Sequence, residues 1–467
     1  MVSVERTFSI DDQAAFARLS GDFNPLHVDA VAARRSLTGG AVVHGMHLLM
    51  WALDAWSRQR TDAVTLISLD TAFLKPVTVG ALVRLSEESR AGSANIRIHV
   101  GDLLATTIDI RWRDNTKAGH TMTGIPERET PVEMDGVAIA SAQGNLPLLL
   151  DLPLASSLVP ALVRCLPASQ IAFMLASTRL VGVKCPGLHS LYSELHFSES
   201  EDEGGEGLFY RVKQFDPRFS LALMHITSPG IIGSIKAFLR PKPQRQPSCD
   251  EVRATLRSGL PFAAQRALVV GGSRGIGEVF AKALAMGGAE VMLTYHLGRD
   301  EALAIVADIQ AGGGKAACMQ LDVTDGQVGS VADFAPTHLY YMATPFIGSG
   351  QHGQFNALAF SLFCSYYVEG FANLLAAAKG PALQAVYYPS SIFLNEMPAN
   401  MCEYIAAKSA GEALGTIMMK AQPALRIACP RLPRLLTDQT SSLLPSSHIA
   451  ILPLVLDQLQ QFSMKKS

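Results

Sequence analysis

Hydrophobic and polar positions fall into two textures along this chain. From Ile67 to Arg113 the pattern reads as three long strand runs: Ser68–Phe73, then Leu82–Ser86 with Asn95–Val100, then Leu104–Trp112. The layout returns in His189–Phe197, Leu208–Gln214, Ser220–Ile226 and Ile231–Leu239. Each set follows an apolar helical stretch, Val43–Trp56 in one case and Ala168–Val181 in the other. A long helix before a curled antiparallel sheet, twice in tandem, predicts two copies of one α+β unit. A single irregular α+β domain is the alternative.

The texture changes after Arg240-Pro241-Lys242-Pro243-Gln244-Arg245-Gln246-Pro247-Ser248. Three prolines among polar residues predict a stiff linker there. Beyond it strands alternate with helices: Ala267–Val270, a glycine turn, helix Glu278–Met286, strand Val291–Tyr295, helix Ala302–Ala311 and strand Ala316–Leu321. That alternation predicts parallel βαβ units in a doubly wound sheet. The expected domains are 1–125, 126–240, a linker over 241–262, and 263–467.

Composition agrees with several cores. A chain of 467 residues exceeds the roughly 250 at which single cores stop growing, and 48% of it is hydrophobic against 17% charged. A net charge of −2 argues against nucleic acid or anionic membrane as the main partner. No uninterrupted apolar run approaches the roughly 18 residues of a membrane helix, since Leu146–Leu162 is broken by Pro147, Asp151, Pro153 and Pro160. The N-terminus lacks the apolar core of a signal peptide. Seven cysteines without a CxxC fit reduced thiols, so neither disulfides nor a metal site are expected, and the expected location is cytoplasmic.

The first chemical pattern is Ser20-Gly21-Asp22-Phe23-Asn24-Pro25-Leu26-His27-Val28-Asp29, followed by His44-Gly45-Met46. Asp22 and His27 flank an Asn-Pro turn, an acid–base pair suited to proton transfer near neutral pH. Gly45 opens an apolar helix, where its N–H can face a developing oxyanion. These residues, with Phe73–Gly80, resemble the MaoC-like R-specific enoyl-thioester hydratases of the hot-dog fold over about residues 5 to 125. The resemblance implies that Asp22 and His27 act at Cβ and Cα of an acyl thioester, that Gly45 binds its carbonyl, and that Asn24 orients the loop. A hot-dog used only to bind acyl chains is the alternative. The second copy has Pro167-Ala168-Ser169-Gln170 in place of the motif, and Cys185 with His189 reads as structural. By resemblance, it is a silent half that makes room for the acyl chain.

The second pattern is Gly271-Gly272-Ser273-Arg274-Gly275-Ile276-Gly277 between a strand and a helix, where backbone can approach a pyrophosphate. Gly271-x-Ser273-x-Gly275 also spells a hydrolase nucleophile elbow, but it follows the first strand, where a hydrolase needs several before it. Tyr404 and Lys408 lie four apart on a predicted helix, behind Ser390-Ser391. An ammonium beside a phenol lowers the phenol's pKa, making it a proton donor and acceptor.

This half resembles the short-chain dehydrogenase/reductases, particularly the 3-oxoacyl-thioester reductases. The resemblance implies catalysis by Ser391, Tyr404 and Lys408. It implies cofactor binding by Gly271, Ser273, Arg274, Gly275, Ile276, Gly277, Asp322, Val323, Tyr404 and Lys408. Tyr295-His296 offers no acid for a ribose hydroxyl and Arg274 adds positive charge, which favours NADP(H). There are departures: Met342-Ala343-Thr344-Pro345 replaces Asn-Asn-Ala-Gly, the relay asparagine is replaced around Tyr366 or Tyr367, Pro-Gly has become Pro430-Arg431, and the final strand is missing. The expected whole is a cytoplasmic bifunctional enzyme, a homodimer acting on coenzyme A or carrier-protein acyl thioesters. Its alternatives are a hydratase carrying a reductase relic, and a non-catalytic acyl-binding scaffold.

Overall fold

A computed structural model describes residues 4–114, 123–201, 205–256, 259–326, 328, 331–348, 350, 352–440 and 449–464. Two compact units divide the chain between Lys242 and Pro243.

The N-terminal unit is one antiparallel sheet of ten strands: β1 (Val4–Thr7), β2 (Val64–Phe73), β3 (Leu82–Arg90), β4 (Ser93–Val100), β5 (Leu103–Asp114), β6 (Gln143–Leu146), β7 (Ser190–Glu199), β8 (Leu208–Asp216), β9 (Leu221–Ser228) and β10 (Ile231–Leu239). Their order is β1-β3-β4-β5-β2-β7-β10-β9-β8-β6, so the two halves have the same connectivity and meet through their second strands. The predicted repeat is therefore present, with β2 and β7 paired antiparallel from Ser68 opposite Ser198 to Ala72 opposite Glu194. The middle run of the first half resolves into two strands, β3 and β4, turning at Gly92.

Each half wraps a helix, Gly45–Ser57 or Ala168–Arg179, whose residues are buried on nearly every side. The second continues as a π-helical turn, Leu180–Lys184. Buried polar groups tie the halves together. Gln170 grips Leu66 at both its N–H (3.0 Å) and its carbonyl (2.8 Å). Asp54 accepts from the Ala161 and Leu162 N–H groups at 2.8 and 3.1 Å. Truncating either would leave buried backbone groups unpaired, at about 1–3 kcal/mol each.

The C-terminal unit holds β11 (Arg266–Val270), β12 (Glu290–Tyr295), β13 (Lys315–Gln320), β14 (His338–Tyr341), β15 (Ala385–Tyr387), β16 (Ser390–Ser391), β17 (Arg426–Ala428) and β18 (Arg431–Leu432). Six of them form a parallel sheet in the order β13-β12-β11-β14-β15-β17, and β16 pairs with β18 alongside. Ala267 and Val269 enter one core while Leu268 and Val270 enter another, because helices cover both faces. This is why the strand reads as a continuous apolar run. The stretch expected as linker holds a helix, Cys249–Thr255, capped by Ser248 and Glu251, and its Cys249 and Val252 join the core of this unit. The helical run Ala357–Ala378, not singled out from sequence, has the length and mean hydropathy (1.2) of a membrane span. Its Phe363, Tyr367, Phe371, Leu374 and Leu375 are buried in this unit.

Candidate active sites

The first site begins where Gly21, at φ 78°, ends the helix Ile10–Ser20 and turns the chain inward. Asn24 caps the next segment, its Oδ1 accepting from the Leu26 N–H at 3.1 Å, so the expected loop closes as a short helix, Pro25–Val28. The Asn24 amide donates to the carbonyls of Gly182 (2.9 Å), Gly187 (3.2 Å) and Leu188 (3.2 Å), which clamps this loop onto the second half.

Asp22 is 2% exposed. Its Oδ2 accepts from Thr178 Oγ1 at 2.8 Å and its Oδ1 from the Asn24 N–H at 3.2 Å. Removal from water outweighs these two donors and raises the carboxyl to about 6, so it is mostly ionised at neutral pH. His27 Nδ1 lies 2.8 Å from the Val42 carbonyl. A carbonyl only accepts, so this partner assigns the proton of the neutral ring to Nδ1 and leaves Nε2 a free lone pair. Withdrawal from water lowers His27 to about 4, with the Arg240 charge acting in the same direction.

One donor atom each of Asp22, His27 and His44 lie within 4.8 Å of one another. Asp22 and His27 also line one cavity, where a water or hydroxyl can reach both the carboxylate and the imidazole. His44 stacks on His27 with ring centroids 3.8 Å apart and is itself held between Gln13 Oε1 (2.9 Å) and the Asp22 carbonyl (3.0 Å). Gly45 opens the helix Gly45–Ser57, where no side chain caps the first N–H groups. A cavity of about 430 Å³ connects these groups, lined also by Phe73, Thr178, Tyr192 and Arg240.

In the second half His189 Nε2 meets Glu133 Oε1 at 3.5 Å, a carboxylate partner not expected from sequence, but neither residue lines the cavity, and Cys185 is buried with its thiol pushed up to about 12. Yet this half completes the first site. Thr178 donates to Asp22, and Gly182 makes room, since a Cβ there would run into the Asp22 carboxylate. Sequence reasoning missed both. The available signal was a glycine inside the apolar run Leu180-Val181-Gly182-Val183.

In the C-terminal unit the glycine turn lies between β11 and the helix Gly275–Met286. Gly271 (φ 77°) and Gly275 (φ 56°) occupy the left-handed region, and a Cβ on Gly277 would strike the Gly271 carbonyl. No side chain caps this helix either, the arrangement in which a helix start can take an anion on its N–H groups. At the ends of β12 and β13, His296 Nδ1 meets Asp322 Oδ2 at 3.2 Å.

Tyr404 and Lys408 share the helix Cys402–Ala421, both buried. The Ser391 hydroxyl bonds Tyr404, but burial dominates and raises the phenol's pKa. Lys408 does not lower it, contrary to the expectation from spacing. Its Nζ donates to the Pro389 carbonyl at 2.8 Å and lies 4.0 and 4.8 Å from the ring centroids of Tyr367 and Tyr388. Burial lowers this ammonium to about 7. Tyr367 thus fills the space beneath the lysine, its hydroxyl 2.5 Å from Thr344 Oγ1. Arg431, in place of the expected glycine, pairs with Glu412 at 2.8 Å.

Residues 2–106 match the sequence model of the MaoC like domain, and residues 265–339 that of the short chain dehydrogenase family. The chain therefore joins a MaoC-like domain to a short-chain dehydrogenase domain. An uncharacterized oxidoreductase of Methylorubrum extorquens is 48% identical over 58 residues, 12% of this chain and 23% of that protein. The 3-oxoacyl-[acyl-carrier-protein] reductase of a Synechocystis strain is 47% identical over 64 residues, 14% of this chain and 26% of that protein. The chain thus spans about a quarter of each of these relatives. Among solved structures, a short chain dehydrogenase from Burkholderia cenocepacia in complex with NADP is 26% identical, covering 39% of this chain and 78% of that one, with a TM-score of 0.36. A dehydrogenase/reductase from Sinorhizobium meliloti is 19% identical, covering 44% and 90%, with a TM-score of 0.38.

Proposed function

We propose that this chain is a bifunctional acyl-thioester enzyme. Its C-terminal unit reduces a 3-oxoacyl thioester, and its N-terminal unit interconverts the 3-hydroxyacyl product with the trans-2-enoyl thioester. The observation that carries the reading is the Asp22–His27 pair, an ionised carboxylate and a neutral imidazole with a free Nε2, opening on one cavity. In hydration, a water between them gives a proton to one base as its oxygen adds to Cβ, and a proton returns to Cα. Dehydration reverses these steps and releases water. The Gly45 N–H, at the positive end of its helix, stabilises the thioester oxygen as it becomes enolate-like.

In the C-terminal unit the turn from Gly271 to Gly277 would hold the pyrophosphate of NADP(H), and Asp322 and Val323 would meet its adenine. Bound NADPH supplies a hydride. Ser391 holds the substrate oxygen and Tyr404 protonates it. Tyr295-His296 and Arg274 support NADPH over NADH, and NADPH supports the biosynthetic direction in fatty acid or polyketide metabolism. Sharing one chain raises the intermediate's effective concentration at the second site.

A second reading has a specific observation behind it. With Lys408 enclosed by Tyr367 and Tyr388, the C-terminal unit would bind a dinucleotide without turning over, leaving a hydratase alone. Purified protein given a 3-oxoacyl thioester and NADPH separates the two. Nicotinamide oxidation followed by enoyl product supports the bifunctional enzyme. Enoyl hydration without any nicotinamide oxidation supports the second reading.

A further inference from the structure

Arg240, directly after β10, is 8% exposed and lines the same cavity as Asp22 and His27. Its Nε donates to the Ser190 carbonyl at 3.3 Å and its Nη2 to the Leu188 carbonyl at 2.6 Å. These two bonds fix the plane of the guanidinium. Nη1 makes no hydrogen bond, and no carboxylate pairs with the group among the described residues. Lys282 shows the contrast, a buried cation meeting Glu278 at 2.8 Å and Asp308 at 2.9 Å.

The acids that share the cavity wall are already engaged. Asp22 accepts from Thr178 and Asn24, and Glu194 pairs with Lys236 at 2.8 Å. Much of the remaining wall is apolar, including Leu26, Val43, Leu48, Phe73, Val181 and Phe238. Burial lowers Arg240 only to about 10, so it stays charged at neutral pH. A buried charge without a counter-ion is costly to fold around, and a plain acyl chain gains nothing from it. A planar fork held by two carbonyls, with one donor face open, is matched to a carboxylate.

We propose that Arg240 binds a carboxylate carried by the acyl chain, so that the preferred substrate of this site is the half-thioester of an unsaturated dicarboxylic acid. The inference rests on hydration at Asp22 and His27. It is tested with the pent-2-enoyl and pent-2-enedioyl thioesters of coenzyme A, equal in length and differing in the terminal carboxylate. Wild type should hydrate the carboxylate-bearing thioester with a kcat/KM at least tenfold higher. Arg240→Met should lose that preference, bringing the two thioesters within twofold of each other in kcat/KM, and Arg240→Lys should restore part of it through KM.

Equal rates on both substrates in wild type, with hydration still abolished by Asp22→Asn, would overturn the Arg240 assignment and leave the hydration reading intact. So would an Arg240→Met variant that folds normally and loses both activities equally, which would make the arginine a tie between strands. Hydration of neither substrate would overturn both. The wild-type preference decides the matter even where Arg240→Met does not fold.

Discussion

The hydroxyl of Thr178 donates to Asp22 Oδ2 across 2.8 Å and 156 residues of sequence. It joins the half that carries the acid–base motif to the half that lacks one. The bond holds the carboxylate in an orientation that Gly182 leaves room for and that His27 can share. The second copy is therefore a wall of the first site, meeting Asp22 through Thr178 and Gly182.

The pH profile of hydration should show this bond. Asp22 must be ionised, so kcat/KM should rise with pH through an apparent pKa near 6. Thr178→Val removes a donor from the charged form and should move that limb upward by about one pH unit, a hydrogen bond to a charged group contributing about 1.5 kcal/mol. A limb that stays in place would show that Thr178 does not hold the reacting carboxylate.

Asp22 should also cost stability. Its folded-state pKa of about 6 lies above the ordinary value of 3.8, so the folded protein binds more protons between them, and stability falls as pH rises through that window. Asp22→Asn should therefore unfold at higher urea than wild type at pH 7, by up to about 3 kcal/mol, with the difference gone near pH 4. Equal midpoints at pH 7 would contradict the burial argument.

Gly182→Ala places a Cβ against the Asp22 carboxylate. In a helical segment alanine is normally the better residue, by about 1 kcal/mol. Here it should lower hydration at least a hundredfold, the order expected when a catalytic group is displaced by about 1 Å. Circular dichroism should remain that of wild type.

Tyr404→Phe should abolish NADPH oxidation with a 3-oxoacyl thioester and leave enoyl hydration within twofold. Following both reactions on one preparation tests whether the two activities are separable. Loss of both together would contradict two independent sites.

Much of this was readable in the chain. Asp22, His27 and Gly45 stood in one motif because the turn and the helix start that present them are local. Gly271, Gly275 and Gly277 were readable because only glycine tolerates those backbone angles and that close approach. Thr178, Gly182 and Arg240 were not, since each gains its meaning from a sheet closed over long sequence separations. Lys408 shows another limit. Spacing placed it on the face of Tyr404, but whether its ammonium reaches the phenol depends on Tyr367 and Tyr388, which arrive from other elements.

The most direct test of the account is the hydration of a trans-2-enoyl thioester by the purified protein, followed as loss of enoyl absorbance, in wild type and Asp22→Asn. The account predicts turnover in wild type and a fall of at least a hundredfold in the variant, with the fold retained and the stability no lower than that of wild type. Equal hydration by both proteins would contradict it.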